Sequence, residues 1–317
     1  MMKAPLLFNL DLIFEQPDQD PAELTTHLIE QLHAEVGQLD YRLFPDGESY
    51  LRSITDVHAR DCLLVCSLHN PNPKLLPLLF LAELLREMGA ARIALVAPYL
   101  SYMRQDKRFM AGECVTSRHF ARWISQSFDF LVTVDPHLHR YASLDEIYSL
   151  PSLVIRSSAS VANWIQRKVY QPLIIGPDSE SRQWVEEVAQ LAQAPFEVLE
   201  KTRLSDTEVR VSVPHVERYP DHTPVLIDDI ISSGHTLLET LGHLHAAKMP
   251  PAVCIATHGL FAANAWQRLK ASHTAQLVTC NTVPHPTNQI DLAPALASGL
   301  RTWLYPDMRL EPGDQEK

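Results

Sequence analysis

Short apolar runs alternate with longer amphipathic segments along the whole chain, and this alternation limits the possible folds more than any other feature. Strands that are almost continuously apolar are buried on both faces, as in parallel sheets covered by helices. The pattern therefore predicts βαβ units. Candidate strands are Cys62–Ser67, Arg92–Ala97, Leu131–Asp135, Pro172–Gly176, Val225–Asp228, Val253–Thr257 and Gln276–Cys280.

The segments between these strands repeat apolar residues at helical spacing. The alternation runs through both halves of a 317-residue chain, which is longer than the roughly 250–300 residues of a single core. We expect two similar α/β domains, residues 1–152 and 153–304, each with a mainly parallel sheet flanked by helices, and a polar tail at 305–317. Predicted helices are Leu75–Met88, Thr116–Ser127, Ser158–Lys168, Ser181–Ala192, Thr236–Ala247 and Ala262–Ala271.

The composition excludes several classes of function. A net charge of −11 argues against a general binder of nucleic acid or anionic membranes, which needs a basic face. The longest apolar stretch, Leu75–Leu85, contains Pro77 and Glu83 and is too short to span a bilayer. The five cysteines form no CxxC pair and no zinc-type spacing. These features predict a cytoplasmic protein with reduced thiols and no membrane or nucleic-acid partner.

Two adjacent carboxylates and a loop of small residues follow the apolar run that begins at Val225. Asp228 and Asp229 end the predicted strand, and Ser232–Gly234 lead to a helix that opens at Thr236. The free N–H groups of a helix N-terminus bind phosphate, and glycine permits a positive φ there. The carboxylates suit sugar hydroxyls or a Mg²⁺ ion that accompanies a sugar pyrophosphate. A plain capped turn is the alternative interpretation.

This stretch resembles the phosphoribosyl pyrophosphate-binding motif of type I phosphoribosyltransferases and ribose-phosphate pyrophosphokinases. The resemblance implies a type I phosphoribosyltransferase-like architecture for both domains. Ser232 stands where the family often has an acidic residue, and His235 stands where the kinases usually have glycine. The resemblance implies that ribose 5-phosphate is bound by Asp228, Asp229, Ser232, Ser233, Gly234, His235 and Thr236.

A Phe-Pro-Asp-Gly-Glu segment at 44–48 resembles part of the adenine pocket of the kinases. In that family the segment commonly comes from a neighbouring subunit, which implies a homo-oligomer. Phe44 would then stack on the base, while Asp46 and Glu48 would recognise it through polar contacts. Taken alone, Pro-Asp-Gly is also a common tight turn in a hairpin.

The segment from Pro98 to Arg108 follows a predicted strand and closely resembles an ATP-contacting stretch of the kinases. In open α/β sheets, ligands bind at the carboxyl ends of the strands. Arg104 can offer a planar fork to phosphate oxygens, and Gln105 can reach the adenine or ribose edge. The resemblance also places Asp106 in the ATP site.

Two further segments resemble metal and phosphate sites of the same family. His137 follows the strand Leu131–Asp135, and the resemblance assigns it to ATP, through the Mg²⁺ ion or the γ-phosphate. Asp178 matches an aspartate of a pyrophosphate or second-metal loop, although Glu180 and Ser181 replace glycines that the family prefers there. The implied metal ligands are therefore His137 and Asp178, and the implied cofactor is Mg²⁺.

Lys201 and Arg203 are two cations spaced by one residue. In the kinases a Lys-x-Arg pair belongs to a mobile loop that closes over ATP. The resemblance therefore implies that both residues are catalytic and neutralise charge on the transferred phosphoryl groups. On spacing alone, a solvent-exposed basic pair is an equal alternative.

Four of these segments, namely those at 44–48, at 98–108, at His137 and at Lys201 and Arg203, together imply a ribose-phosphate diphosphokinase. Such an enzyme transfers the β,γ-pyrophosphoryl group of Mg-ATP to the 1-hydroxyl of ribose 5-phosphate, giving phosphoribosyl pyrophosphate and AMP. The motif spacing resembles the archaeal-like branch of the family. Three alternatives remain: a phosphoribosyltransferase that consumes phosphoribosyl pyrophosphate, a non-catalytic regulatory paralogue, and a kinase for another sugar phosphate.

Overall fold

A computed structural model describes residues 3–14, 22–138, 140–176, 181–203, 209–212 and 216–306. The predicted metal ligand Asp178 and residues 307–317 of the predicted tail lie outside this part. The chain divides into two compact units. The first comprises the described residues up to Ile155 together with those from Ala293 onward, and the second comprises the described residues of Arg156–Leu292.

The first unit is built on a parallel sheet. Its described strands are β1 (Leu6–Asn9), β2 (Glu35–Val36), β3 (Leu39–Leu43), β4 (Ser49–Ser53), β5 (Asp61–Val65), β6 (Arg92–Ala97), β7 (Phe130–Val134) and β8 (Ser152–Ile155). Six of them form one sheet in the order β2-β1-β5-β6-β7-β8, in which every pairing is parallel. The other two, β3 and β4, form a separate antiparallel hairpin.

The helices of the first unit that precede its last strand are α1 (Asp11–Phe14), α2 (Ala22–Leu32), α3 (Asn72–Glu87) and α4 (Thr116–Ser127). Helix α4 shows why these segments are helical. It buries Phe120, Ala121 and Ile124 on one face, which is the spacing of an amphipathic helix on a sheet. The buried face joins a core that includes Leu95 and Leu131 of the neighbouring strands.

The second unit repeats this topology. Its described strands are β9 (Pro172–Gly176), β10 (Phe196–Val198), β11 (Glu200–Arg203), β12 (Val209–Ser212), β13 (Thr223–Ile231), β14 (Ala252–Gly259), β15 (Thr274–Cys280) and β16 (Asn288–Ile290). The sheet order is β10-β9-β13-β14-β15-β16, again parallel throughout. An antiparallel hairpin, β11–β12, falls at the same place in the strand sequence as β3–β4. The predicted pair of similar α/β domains is confirmed.

Helices α5 (Ser158–Lys168), α6 (Arg182–Ala192), α7 (His235–Ala246) and α8 (Ala265–Lys270) complete the second unit. Helices α5 and α6 pack against each other, and α5 also contacts β16. Within the described ranges, the structure contains no helix with both the length and the apolar character needed to cross a membrane.

The last helix, α9 (Ala293–Leu304), follows β16 but packs on the first unit, where it contacts α2, β7 and β8. The Trp303 ring stacks on Phe130 with centroids 5.3 Å apart. Arg92 lies over the same indole at 4.2 Å and donates a hydrogen bond to the Trp303 carbonyl over 2.9 Å. This packing differs from the predicted division at 152/153, which assigned residues 293–304 to the second domain.

Candidate functional site

The two predicted carboxylates lie in the carboxyl-terminal part of β13. Asp228 pairs in register with Ala256 of β14, and both aspartates are half-buried. The backbone N–H of Asp229 donates a hydrogen bond to Asp228 Oδ1 over 2.9 Å. The sequence predicts that these carboxylates end the strand, whereas the observed strand continues to Ile231, so they lie within it.

The loop after β13 ends at Gly234, which is the residue before α7. Gly234 has a φ of 67°, in the left-handed region that the sequence predicted for it. A Cβ atom there would lie 3.1 Å from Leu269 Cδ1, so helix α8 also limits the side chain at this position. Gly234, the N-cap residue of α7, makes no side-chain cap hydrogen bond to the first turn. The leading N–H groups of this helix are therefore suited to an anion.

The hydroxyl and imidazole side chains around Gly234 differ in exposure. Ser232 and Thr236 are half-buried, whereas Ser233 and His235 are exposed. These side chains follow the carboxylates of β13 along the chain and lie at the start of α7. The Thr236 carbonyl accepts a hydrogen bond from Thr240 Oγ1 of the same helix over 2.8 Å.

The predicted catalytic cations lie on the hairpin β11–β12. Lys201 is opposite Val211 and Arg203 is opposite Val209 in the antiparallel register. The side chains of Lys201 and Arg203 lie outside the described part of the structure. The backbone of β12 contacts α7, so this hairpin adjoins the helix whose first turn follows Gly234. Asp178 follows β9, the neighbour of β13 in the sheet, but is itself outside the described residues.

In the first unit, the segment predicted to contact ATP follows β6. The backbone N–H of Val134, at the end of β7, donates to the Pro98 carbonyl over 3.4 Å and joins the two strand ends. Gln105 is attached to α4, since its side-chain Oε1 accepts a hydrogen bond from Thr116 Oγ1 over 3.2 Å. Arg104, directly before it, is exposed.

Asp106 has a structural partner. Its carboxylate is 3.3 Å from Arg140 Nε, and only 7% of its side chain is exposed. The Tyr141 hydroxyl donates to the Asp106 carbonyl over 3.1 Å. These contacts fix the backbone immediately after Gln105. They give Asp106 a role in holding the segment, beside the ATP contact that the sequence predicted.

The end of β7 places His137 at the same edge of the sheet. Asp135, the first residue after β7, is buried and has a φ of 32°, which is unusual for a residue other than glycine. Its backbone N–H donates to the Ile155 carbonyl over 3.1 Å. His137 is half-buried two residues later. The hydrogen bond to the end of β8 therefore holds the turn that carries His137.

The segment at 44–48 forms the turn of the β3–β4 hairpin. The Phe44 N–H donates to the Glu48 carbonyl over 2.7 Å, and Gly47 has a φ of 92°. Asp46 and Glu48 are exposed, as is Phe44. Arg42 lies 4.7 Å from the centre of the Phe44 ring. The turn therefore presents an aromatic ring and two carboxylates to the surface of this unit.

A buried ion pair at the same edge of the first sheet was not predicted from the sequence. Lys74 Nζ lies 3.9 Å from Asp11 Oδ1, and about 4% and 5% of the two side chains are exposed. The ammonium group donates to the Ser67 carbonyl over 2.8 Å, and Asp11 accepts from the Ser67 N–H over 2.8 Å. Lys74, a charged residue in the first turn of a strongly apolar helix, was the sequence feature that could have indicated this ion pair.

The described residues contain no cluster of three or more His, Cys, Asp or Glu side chains that could hold a metal ion by themselves. Asp228 and Asp229 provide oxygen donors, which Mg²⁺ prefers. Mg²⁺ is usually held by one or two carboxylates and completed by substrate phosphates and water. The pair on β13 fits that mode of binding.

Comparison with known proteins agrees with this geometry. Residues 17–127 match the N-terminal domain of ribose phosphate pyrophosphokinase, and residues 143–294 match the phosphoribosyl transferase domain. The ribose-phosphate pyrophosphokinase of Methanopyrus kandleri is 31% identical over 88% of this chain and 95% of its own length. The chain belongs to the ribose-phosphate pyrophosphokinase family.

Other members of the family support the same assignment. The ribose-phosphate pyrophosphokinase of Sulfurisphaera tokodaii is 29% identical over 82% of this chain and 90% of its own length. The crystal structure of phosphoribosylpyrophosphate synthetase from Mycobacterium smegmatis superposes with a TM-score of 0.80 at 25% identity. That match covers 95% of this chain and 99% of the other. The two relatives compared by sequence are archaeal, in agreement with the archaeal-like motif spacing.

Proposed function

We propose that the chain is a ribose-phosphate diphosphokinase that converts Mg-ATP and ribose 5-phosphate into AMP and phosphoribosyl pyrophosphate. The observation that carries the proposal is the order of elements in the second unit, in which Asp228 and Asp229 on β13 are followed by Gly234 and then by the first turn of α7. Carboxylates for sugar hydroxyls or their metal ion are thus followed, after a short loop, by N–H groups for a phosphate. The family's relatives carry the matching name.

The 5-phosphate of the sugar binds at the first turn of α7. Its oxygens accept hydrogen bonds from the leading backbone N–H groups and from the hydroxyls of Ser232, Ser233 and Thr236. Gly234 lets the backbone approach the anion, and His235 lies exposed at the rim of this loop. Asp228 and Asp229 hold the ribose hydroxyls or the metal ion bound to them, which orients the 1-hydroxyl for attack.

ATP binds through residues of the first unit. Arg104 contacts the phosphates, and Gln105 recognises the adenine or ribose with the side-chain nitrogen that its bond to Thr116 leaves available. His137 donates a hydrogen bond to the γ-phosphate. Mg²⁺ favours oxygen over imidazole nitrogen, so Asp228 and Asp229 are better metal ligands than His137. Asp178 remains a proposed second ligand. Mg²⁺, when bound, neutralises the charge of the phosphates.

In the transfer, the oxygen of the ribose 1-hydroxyl forms a bond to the β-phosphorus of ATP. The bond between that phosphorus and the oxygen bridging to the α-phosphate breaks, so AMP leaves with the bridging oxygen and the hydroxyl proton passes to solvent. Lys201 and Arg203, on the hairpin that adjoins α7, stabilise the negative charge on the phosphoryl oxygens. No covalent enzyme intermediate is required.

The adenine pocket is completed by the β3–β4 hairpin of a second subunit. Phe44 stacks on the base, and Asp46 and Glu48 recognise its polar edge. The hairpin supports this proposal because Leu43 and Phe44 are exposed large apolar residues, with 56% and 39% of their surfaces accessible. Contiguous exposed apolar side chains are a feature of interaction surfaces. The proposal therefore includes a homo-oligomer, and sedimentation velocity tests its size. It also includes a cytoplasmic location, where the five free thiols stay reduced.

An AMP-release assay tests the function. The purified protein is incubated with ATP, Mg²⁺ and ribose 5-phosphate, each omitted in turn, and then with other sugar phosphates. AMP that depends on all three components supports the proposal. Release of pyrophosphate from phosphoribosyl pyrophosphate and a nucleobase, without AMP production from ATP, would instead identify a phosphoribosyltransferase. Folded protein that shows neither reaction contradicts the proposal and favours a regulatory paralogue.

A further inference from the structure

Two histidines meet at the far end of α7 from Gly234. His245 lies in the last turn of the helix, and His273 lies in the connection between α8 and β15. Their Nδ1 atoms are 3.3 Å apart. His245 is exposed and His273 is half-buried, so the pair is accessible from solvent. Neither residue belongs to the proposed substrate site.

The hydrogen bonds of His273 determine which of its nitrogens is available. Its Nε2 lies 3.0 Å from the Met249 carbonyl, which can only accept, so Nε2 carries the proton. In the neutral ring, Nδ1 is then an acceptor whose lone pair faces His245 Nδ1. Histidines that bind metals commonly donate their other N–H to a backbone carbonyl or carboxylate in this way.

The separation of the two nitrogens matches a shared metal ion. Two imidazole nitrogens, each about 2.05 Å from a tetrahedral zinc ion, are about 3.3 Å from each other. The ring centroids are 4.7 Å apart and the ring planes are inclined by 62°. A straight N–H···N bond would hold the ring centres farther apart, because each ring extends away from its nitrogen along the line of the bond. The two nitrogens therefore do not approach along a straight line.

The backbone on both sides of the pair is fixed before any ion binds. The His273 carbonyl accepts a hydrogen bond from the Ala252 N–H over 3.2 Å, at the start of β14. The Met249 N–H donates to the Leu244 carbonyl over 3.0 Å and closes the end of α7. Binding of an ion to this pair would therefore cost little free energy for ordering the two ligand residues.

We propose that His245 and His273 form a binding site for one divalent transition-metal ion of the zinc, nickel and copper class, which links the end of α7 to the segment before β15. Imidazole nitrogen favours these ions over Mg²⁺. The remaining coordination positions are filled by water, because the described residues place no cluster of three ligand side chains here. The site is thus separate in chemistry from the proposed Mg²⁺ site.

Calorimetric titration of the untagged full-length protein with Ni²⁺, and then with Zn²⁺, tests the proposal. Excess Mg²⁺ is present to occupy the oxygen-donor sites. We expect one ion per chain, and at least a tenfold weaker affinity for His245→Ala and for His273→Ala. The control His243→Ala removes another exposed histidine of the same helix and should leave the affinity within twofold.

A second readout separates metal binding from folding. Ni²⁺ should raise the Tm of the wild-type protein and of His243→Ala, and should raise that of His245→Ala much less. If His273→Ala is unfolded by loss of the bond to Met249, the result for His245→Ala is the test. The His245 side chain is exposed, so its removal should not affect folding. Equal Ni²⁺ affinity in the wild-type protein and His245→Ala would overturn the proposal. AMP formation is not part of the test, so failure of the proposed activity would not affect it.

Discussion

The backbone N–H of Asp229 donates a hydrogen bond to the carboxylate of Asp228, the residue that precedes it, over 2.9 Å. This bond orients the Asp228 side chain from within its own strand. The two adjacent carboxylates are therefore not equivalent. One is fixed by a local backbone donor, and the other lies one residue nearer to the phosphate loop.

Replacing Asp229 with asparagine should mainly impair the use of ribose 5-phosphate. Loss of a charged hydrogen-bond acceptor costs about 1.5–3 kcal/mol, so kcat/KM for the sugar should fall about 10- to 100-fold. The KM for ATP should change much less. Steady-state kinetics with each substrate varied separately measures both values. The control is Asp221→Asn, which changes an aspartate in an exposed loop. Unchanged kinetics with ribose 5-phosphate would show that Asp229 does not bind the sugar.

Replacing both Lys201 and Arg203 with alanine should lower kcat far more than it weakens ATP binding. Removal of one group that stabilises transition-state charge commonly costs about 10²–10³ in rate, so the double variant should lose at least that factor. Lys168→Ala, an exposed lysine in the last turn of α5, is the matched control. Single-turnover rates and ATP affinity are measured together. A double variant with nearly normal kcat contradicts the catalytic role.

Two glycines on either side of the start of α7 should respond in opposite ways to alanine. Gly234→Ala places a Cβ at a φ of 67° and 3.1 Å from Leu269, so it should destabilise the fold by about 1–2 kcal/mol and weaken ribose 5-phosphate binding. Gly242→Ala, inside the same helix with no atom within 4 Å of the new Cβ, should stabilise it by about 1 kcal/mol. Urea unfolding of both variants measures the difference. Equal effects would disprove the backbone argument.

Replacing Lys74 with methionine should strongly destabilise the first unit. The change leaves Asp11 as a buried charge without its cation, at a cost of about 3–5 kcal/mol. The double variant Asp11→Asn with Lys74→Met removes both charges and should recover part of the loss. Arg86→Met, which breaks a more exposed pair with Asp129, is the comparison and should cost less than about 1 kcal/mol. Equal losses in the two single variants would contradict this assignment.

The continuous apolar runs made the central strands predictable, since a strand such as β6 is buried on both faces and carries its signal in adjacent residues. Strands β3 and β4 were not among the candidate strands, although a hairpin turn was the alternative for residues 44–48, because neither strand has a buried residue and their pattern is mixed. The three-residue edge strand β16 is too short for any periodicity. Local sequence therefore predicts the sheet centre and leaves its edges open.

The partners of an element are harder to predict than its type. Helix α9 has an apolar face of Leu296, Leu300 and Leu304, but nothing in that face indicates that it packs on the first unit. The ion pair between Asp11 and Lys74 joins residues 63 positions apart, which no local spacing indicates. The phosphate loop was predictable because its carboxylates, hydroxyls and glycine all lie within one short stretch of the sequence, Asp228–Thr236.

The free energy of unfolding should decrease as the pH is lowered, because one half-buried histidine of the second unit takes up a proton less readily in the folded protein. Burial lowers the pKa of His285 to about 4 from 6.5, in a site where its ring lies 4.3 Å from the Phe261 ring and its Nδ1 is 2.8 Å from Thr287 Oγ1. The unfolded chain binds the proton more readily than the folded one. The stability associated with the neutral ring is therefore fully present above about pH 6.5 and is lost as the pH falls toward 4.

His285→Gln, which cannot titrate, should flatten this part of the pH dependence. The free energy of unfolding in urea is measured from pH 7.5 to 4.5 for the wild-type protein, for His285→Gln and for the exposed control His243→Gln. Carboxylates titrate in the same range in all three proteins, so only the difference between the curves reports on His285. We expect the wild-type and control curves to fall more steeply than that of His285→Gln. Three parallel curves would mean that the His285 ring takes up its proton equally well in the folded and unfolded chain.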